Sequence, residues 1–133
     1  NKGYIDALLD ADAGYDESRC FLMTHKEEKE IISGDSKKFA SFIDNHLFGC
    51  DSVICQNGMV AHQLIFLLRK RGVSVPEDIL VACFDNDYYS GDSGIVYAGC
   101  DIDSYCKTLA RSSVALAEGR SATSVTVPMK IPE

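Results

Sequence analysis

Asn57 and Asp85 are the two side chains whose type and placement best suit contact with a polar small molecule. Asn57 follows the apolar run Ser52-Val53-Ile54-Cys55, and Asp85 follows the longer run Ile79–Phe84. An Asn amide both donates and accepts hydrogen bonds, and an ionised Asp accepts them, so the pair could hold hydroxyl or amino groups. Each residue also has a plainer reading. Asn57-Gly58 is a common turn or helix-cap dipeptide, and an Asp at a strand end is a common loop residue. The two roles are compatible, because a helix N-terminus behind Asn57 also favours polar ligands. Tyr88 and Tyr89 come next in the same loop; their rings could stack on a ligand or cover a dimer seam.

No other cluster has the spacing that catalysis needs. Gly91-Asp92-Ser93-Gly94 has the look of a serine-protease nucleophile motif, but it lacks the following Gly-Pro and a His in an Ala-Ala-His-Cys setting. The Gly-x-Ser-x-Gly elbow is absent as well. His25, His46 and His62 show no H-E-x-x-H or comparable ligand spacing, so they read as surface or interface residues rather than metal ligands. Glu27, Glu28 and Glu30 lie close together, but nothing around them would desolvate a carboxylate and raise its pKa. They read as a solvated helix face or loop. The expectation is a protein that is not an enzyme and uses no cofactor or metal.

The elements around Asn57 and Asp85 explain why they could meet. Residues 51–87 read as strand, polar loop, long helix, Gly72 stop, Pro76 turn, second strand and acidic loop. A right-handed crossover makes two such strands parallel, with their C-terminal ends at one edge of the sheet. In open parallel sheets, ligands bind beyond that edge. Ile79–Phe84 is continuously apolar, as a central parallel strand should be.

The rest of the chain alternates in the same way. Gly3–Ala13 has helical spacing with Gly14 as its stop, and Cys20–Met23 reads as a short apolar strand. Asp35 or Ser36 caps a helix carrying Phe39, Phe42, Ile43 and Leu47. Ile95–Ala98 and Val125–Val127 read as further strands. Residues 101–118 form an amphipathic helix whose apolar side is Ile102, Tyr105, Cys106, Leu109, Leu116 and Ala117. The class is α/β, a mainly parallel sheet flanked by helices.

The helix Gly58–Arg71 carries more apolar surface than one sheet-facing stripe needs. Val60, Ala61, Leu64, Leu67 and Leu68 form the stripe, and Ile65 and Phe66 widen it. The excess fits a subunit interface or a second helix of the same domain. Arg69-Lys70-Arg71 at its end complements the helix dipole.

At 133 residues the chain is the size of one domain, and 46% apolar content is too high for disorder. A net charge of −7 argues against direct nucleic-acid binding, which needs clustered cations against phosphate. No apolar run approaches the ~20 residues of a membrane span. The six Cys lack any C-x-x-C pair. Cys20, Cys55 and Cys83 fall in apolar runs and read as small buried hydrophobes, which suits a reducing cytoplasm. A disulfide from Cys50 or Cys55 to a distant partner stays open. Starting at Asn1 directly before a helical pattern, the chain reads as part of a longer protein.

Residues 51–87 closely resemble the effector-binding domain of LacI/GalR-family transcriptional regulators, which has a periplasmic-binding-protein-like fold. The resemblance is carried by Asn57-Gly58-Met59-Val60-Ala61, by Gly72-Val73-Ser74-Val75-Pro76-Glu77-Asp78 and by Phe84-Asp85-Asn86. Weaker similarity runs from Gly3-Tyr4 to Val127-Pro128. Gly58 and Asn86 stand where the family usually has Asp, and Tyr97-Ala98-Gly99-Cys100-Asp101 replaces its usual Thr-Val-x-Gln-Pro.

The resemblance implies a cytoplasmic sensor, the C-terminal lobe of a two-lobed domain, with the helix at 101–118 belonging to the other lobe. It implies a small-molecule effector (a sugar, sugar phosphate or purine) contacted by Asn57 and Asp85. It also implies a homodimer formed partly through the helix at 58–71, with His62, Ile65 and Phe66 at the interface. DNA would be bound only by an N-terminal headpiece outside this chain. The alternative is a solute-binding or sensor lobe of the same fold in a signalling receptor or transporter.

Overall fold

A computed structural model describes residues 2–85, 94–121 and 124–131. The chain forms two compact units, Asn1–Gly49 and Cys50–Glu133.

The first unit is helical. Helix α1 spans Lys2–Asp10 and buries none of its residues. It ends earlier than Gly14, because Asp12 takes the left-handed conformation at φ 52° and Ala13 N–H closes back on Leu8 O at 2.8 Å. A short 3-10 turn at Glu17–Arg19 follows. Cys20–Met23 is not a strand: a strand exists only through a ladder partner, and these residues have none among the described ones. Phe21 instead packs edge-on against Phe39 and Phe42, with ring centroids 5.3 and 5.1 Å away.

Helix α2 spans His25–Ile32 and opens with a reciprocal cap. Glu27 N–H donates to Thr24 Oγ1 at 3.3 Å, and Thr24 N–H donates to Glu27 Oε2 at 2.8 Å. The acidic cluster is therefore a helix start, as its solvated-face reading implies. Helix α3, Lys37–Phe42, is capped by Ser36 rather than Asp35 and runs into a π-helical turn at Ile43–Leu47. Ile31, Phe39, Ile43 and Leu47 are buried.

The second unit contains the sheet, in the order β1-β2-β3-β4. Strands β1 (Ser52–Cys55), β2 (Leu80–Phe84) and β3 (Ile95–Cys100) are parallel neighbours, and β2 is the central one. Helix α4, Gly58–Arg69, packs on β1 and β2. It is held at its end by Gly72 at φ 78°, and Arg71 Nη1 donates to Leu67 O at 2.9 Å. That contact gives the basic run its helix-terminal role.

The register Val53↔Val81 and Val81↔Ile95 puts alternate residues on common faces. Cys55, Val81, Cys83 and Ile95 share the buried face, as do Val60, Ala61, Leu64 and Leu68 on α4. On the other face Ile54, Leu80, Phe84 and Val96 are each about half exposed.

Helix α5 spans Ile102–Ala117 and buries none of its residues. Val125–Val127 is not a strand; the pairing falls later, at β4 (Met129–Lys130), which runs antiparallel to β3 through Gly99↔Lys130 and Cys100↔Met129. Pro128 lacks the N–H that a ladder needs, which displaces the pairing past it.

Candidate functional site

Parallel pairing of β1 with β2 sets Cys55 opposite Cys83. Asn57 and Asp85 each lie two residues beyond that matched pair, so both stand at the C-terminal rim of adjacent strands. Asn57 is half-buried and Asp85 is exposed; neither is sealed beneath hydrocarbon.

Asn57 is the N-cap of α4. Its backbone is extended (φ −153°, ψ 170°), and its Oδ1 accepts the Val60 N–H at 3.0 Å. The cap therefore engages the carbonyl end of the amide. The N-terminal turn of α4 adds a partial positive charge at this rim.

Asp85 directly follows β2. Its φ of 72° is left-handed, a conformation that L side chains adopt rarely and Asp tolerates better than most. Its N–H donates to Ala98 O on β3 at 3.0 Å, so the residue is anchored to the sheet. The Cys83 thiol lies 3.9 Å from Asp85 O. Backbone strain at a candidate contact residue is a recurrent property of functional sites.

The residues feeding this rim are buried and inert. Burial pushes the Cys55 thiol up to about 12, with Cys83 beside it adding to the rise. Cys55 is a free thiol and stays protonated at neutral pH. Cys20 is only half-buried, short of the core role its apolar run suggests.

A second acidic residue stands at the same rim. Asp101 follows β3 directly and caps α5, accepting the Ser104 N–H at 3.1 Å. That backbone hydrogen bond, with help from Ser104's side chain and Lys130, holds its carboxyl below the usual range. Sequence reasoning treats Asp101 only as a helix start. Its place at the rim depends on which strand β3 pairs with, and no local pattern carries that.

Tyr88 and Tyr89, with Asn86, lie outside the described residues. On α4 the three interface candidates separate. Phe66 is half exposed, with Lys70 Nζ 4.2 Å over its ring. His62 is half-buried. Ile65 is only 3% exposed and belongs to the chain's own core, because the buried stripe of α4 is wider than the sheet-facing one. Among the described residues, no group of three or more His, Cys, Asp or Glu could hold a metal ion, and no helix is long and apolar enough to cross a membrane.

A family model described as a periplasmic binding protein-like domain matches residues 11–128. No curated protein matches the sequence. Among solved structures, the transcription regulator CcpA of Lactococcus lactis superposes with a TM-score of 0.75 at 19% identity, covering 98% of this chain and 47% of its own. The transcriptional regulator CelR, in a complex with cellobiose, gives 0.75 at 18% identity, with 98% and 39% covered. A periplasmic binding protein/LacI transcriptional regulator from Alkaliphilus metalliredigens, complexed with D-xylulofuranose, gives 0.73 at 18% identity, with 97% and 48% covered. The likeness shows a shared fold, and the chain spans less than half the length of these structures.

Proposed function

Because the chain belongs to the periplasmic binding protein-like domain family, we propose that it is the C-terminal lobe of a small-molecule effector sensor in a LacI/GalR-type transcriptional regulator. The observation that carries this reading is the placement of an amide and a carboxylate at one rim of adjacent parallel strands, Asn57 after β1 and Asp85 after β2. That rim is where open parallel sheets take ligands. Two regulators of similar fold are complexed with cellobiose and D-xylulofuranose, which favours a sugar or related polar metabolite as effector.

Asn57 donates to a ligand oxygen and Asp85 accepts from a ligand hydroxyl. A second lobe supplies the opposite wall, and α5 reaches toward that lobe. The effector acts through differential affinity for open and closed arrangements of the lobes. A dimer contact at α4 around Phe66 and His62 transmits the change to a DNA-binding headpiece. The protein is cytoplasmic and not an enzyme in this reading. A solute-binding lobe in a receptor or transporter is the second reading, favoured by the family description itself. The residues preceding this segment in the parent separate the two: a basic helix-turn-helix supports the first, and a signal peptide or membrane span supports the second.

The test is a thermal-shift screen of sugars, sugar phosphates and purines on the two-lobed parent, repeated with Asp85→Asn and Asn57→Asp. A stabilising ligand whose effect disappears in both variants, with their ligand-free melting unchanged, supports the site. A ligand that stabilises both variants as well as the parent rules the site out.

A further inference from the structure

Three stretches of chain meet at the Asp101 carboxylate. Asp101 follows β3 and caps α5: its Oδ1 accepts the Ser104 N–H at 3.1 Å, and its backbone O accepts the Tyr105 N–H at 2.9 Å. Its Oδ2 faces the Lys130 Nζ of β4 at 3.8 Å. β4 itself pairs with the end of β3, through Cys100↔Met129 and Gly99↔Lys130. The chain therefore leaves the sheet into α5 and returns to it at one place. A single carboxylate joins the outgoing helix to the returning strand.

The packing around this joint is thin. α5 buries none of its residues, so contacts at its root carry much of the task of directing it. β4 is two residues long, and a pairing that short is weak by itself. The root is also connected to the candidate site. Ala98, three residues before Asp101, accepts the Asp85 N–H at 3.0 Å. A turn of α5 about Asp101 reaches the Asp85 backbone through one strand and one hydrogen bond.

We propose that Asp101 is a positioning residue, whose ion pair with Lys130 locks α5 and β4 together at the sheet rim and so couples the direction of α5 to the strand end at Asp85. The inference rests on the reading of α5 as an arm toward a second lobe. The pair is solvent-accessible on both sides, with Asp101 half-buried and Lys130 exposed. Such a pair adds little to the stability of a fold. An equilibrium between two lobe positions, however, responds to free energies of that small size.

Hydrogen exchange and small-angle X-ray scattering on the ligand-free two-lobed parent test it. Asp101→Asn keeps an oxygen acceptor for the helix cap and removes the charge; Lys130→Met removes the other partner. Each is expected to raise exchange in the segments 80–85 and 101–106 by about two- to fivefold, the range that a surface ion pair spans. Each should also change the scattering profile, and the double variant should go no further than either single one. Arg111→Met, which removes a charge farther along α5, should change neither readout. Unaltered exchange at 80–85, an additive double variant or an unaltered scattering profile each overturns the proposal. These measurements contain no effector, so a ligand screen that fails leaves their outcome as it is, and the two readings fall separately.

Discussion

Asn57 caps α4 through Oδ1, while the proposed effector contact would use Nδ2, so substitutions can part the two. Asp keeps an acceptor for the Val60 N–H but removes the Nδ2 donor; Ala removes both. Asn57→Ala is therefore expected to lower stability by about 1 kcal/mol, and Asn57→Asp to leave it nearly unchanged, as read by urea denaturation. Asp85 presents the reverse case. Its left-handed backbone at φ 72° suits glycine better than any L side chain, so Asp85→Gly should be neutral or stabilising by up to about 1 kcal/mol. A clear loss of stability in that variant, again by urea denaturation, would mean that the carboxylate itself holds the fold. Neither substitution touches the buried Cys55 thiol beneath, whose high pKa keeps it out of ionic chemistry.

At the scale of elements, two joints set the geometry. Gly94 enters β3 at φ 75°, and a Cβ there would lie 3.1 Å from Pro76 Cδ and 3.4 Å from Val75 O. The turn before β2 thus packs against the start of β3, and a Cβ there would press on Pro76 in a backbone conformation that L side chains rarely adopt. Gly94→Ala should destabilise by about 1–2 kcal/mol, measured by thermal denaturation. The cap of α2 is the second joint. The Lys38 ammonium first, then the Thr24 N–H and hydroxyl, hold the Glu27 carboxyl down at about 2, against an ordinary value of 4.5. A depressed folded-state pKa means stability that is present above pH 4.5 and lost as pH falls toward 2. Glu27→Gln keeps the cap's hydrogen bonds without that titration. The denaturation midpoint of the parent should therefore fall more steeply than the variant's between those two pH values.

Across the whole molecule, charge dominates. The −7 balance repels a phosphate backbone, so the chain should show no shift of duplex DNA in a gel assay at physiological salt. A shift abolished by neutralising the Arg69-Lys70-Arg71 run would relocate DNA recognition into this chain.

The 51–87 segment was legible because its information is local. The apolar run of β2, the Asn57 cap, the Gly72 stop and the Pro76 turn each act over a few residues, and a crossover between them forces parallel strands. Asn57 and Asp85 could therefore be placed at one rim in advance. Other features needed partners distant in sequence. Cys20–Met23 has strand composition but gains no ladder, and β4 forms at Met129–Lys130 rather than 125–127 because β3 and Pro128 decide it. Ile65 and Phe66 are adjacent and equally apolar, yet one is core and the other surface. Periodicity along a chain names the stripe of a helix; what covers that stripe, and whether anything does, is settled only by where the other elements come to rest.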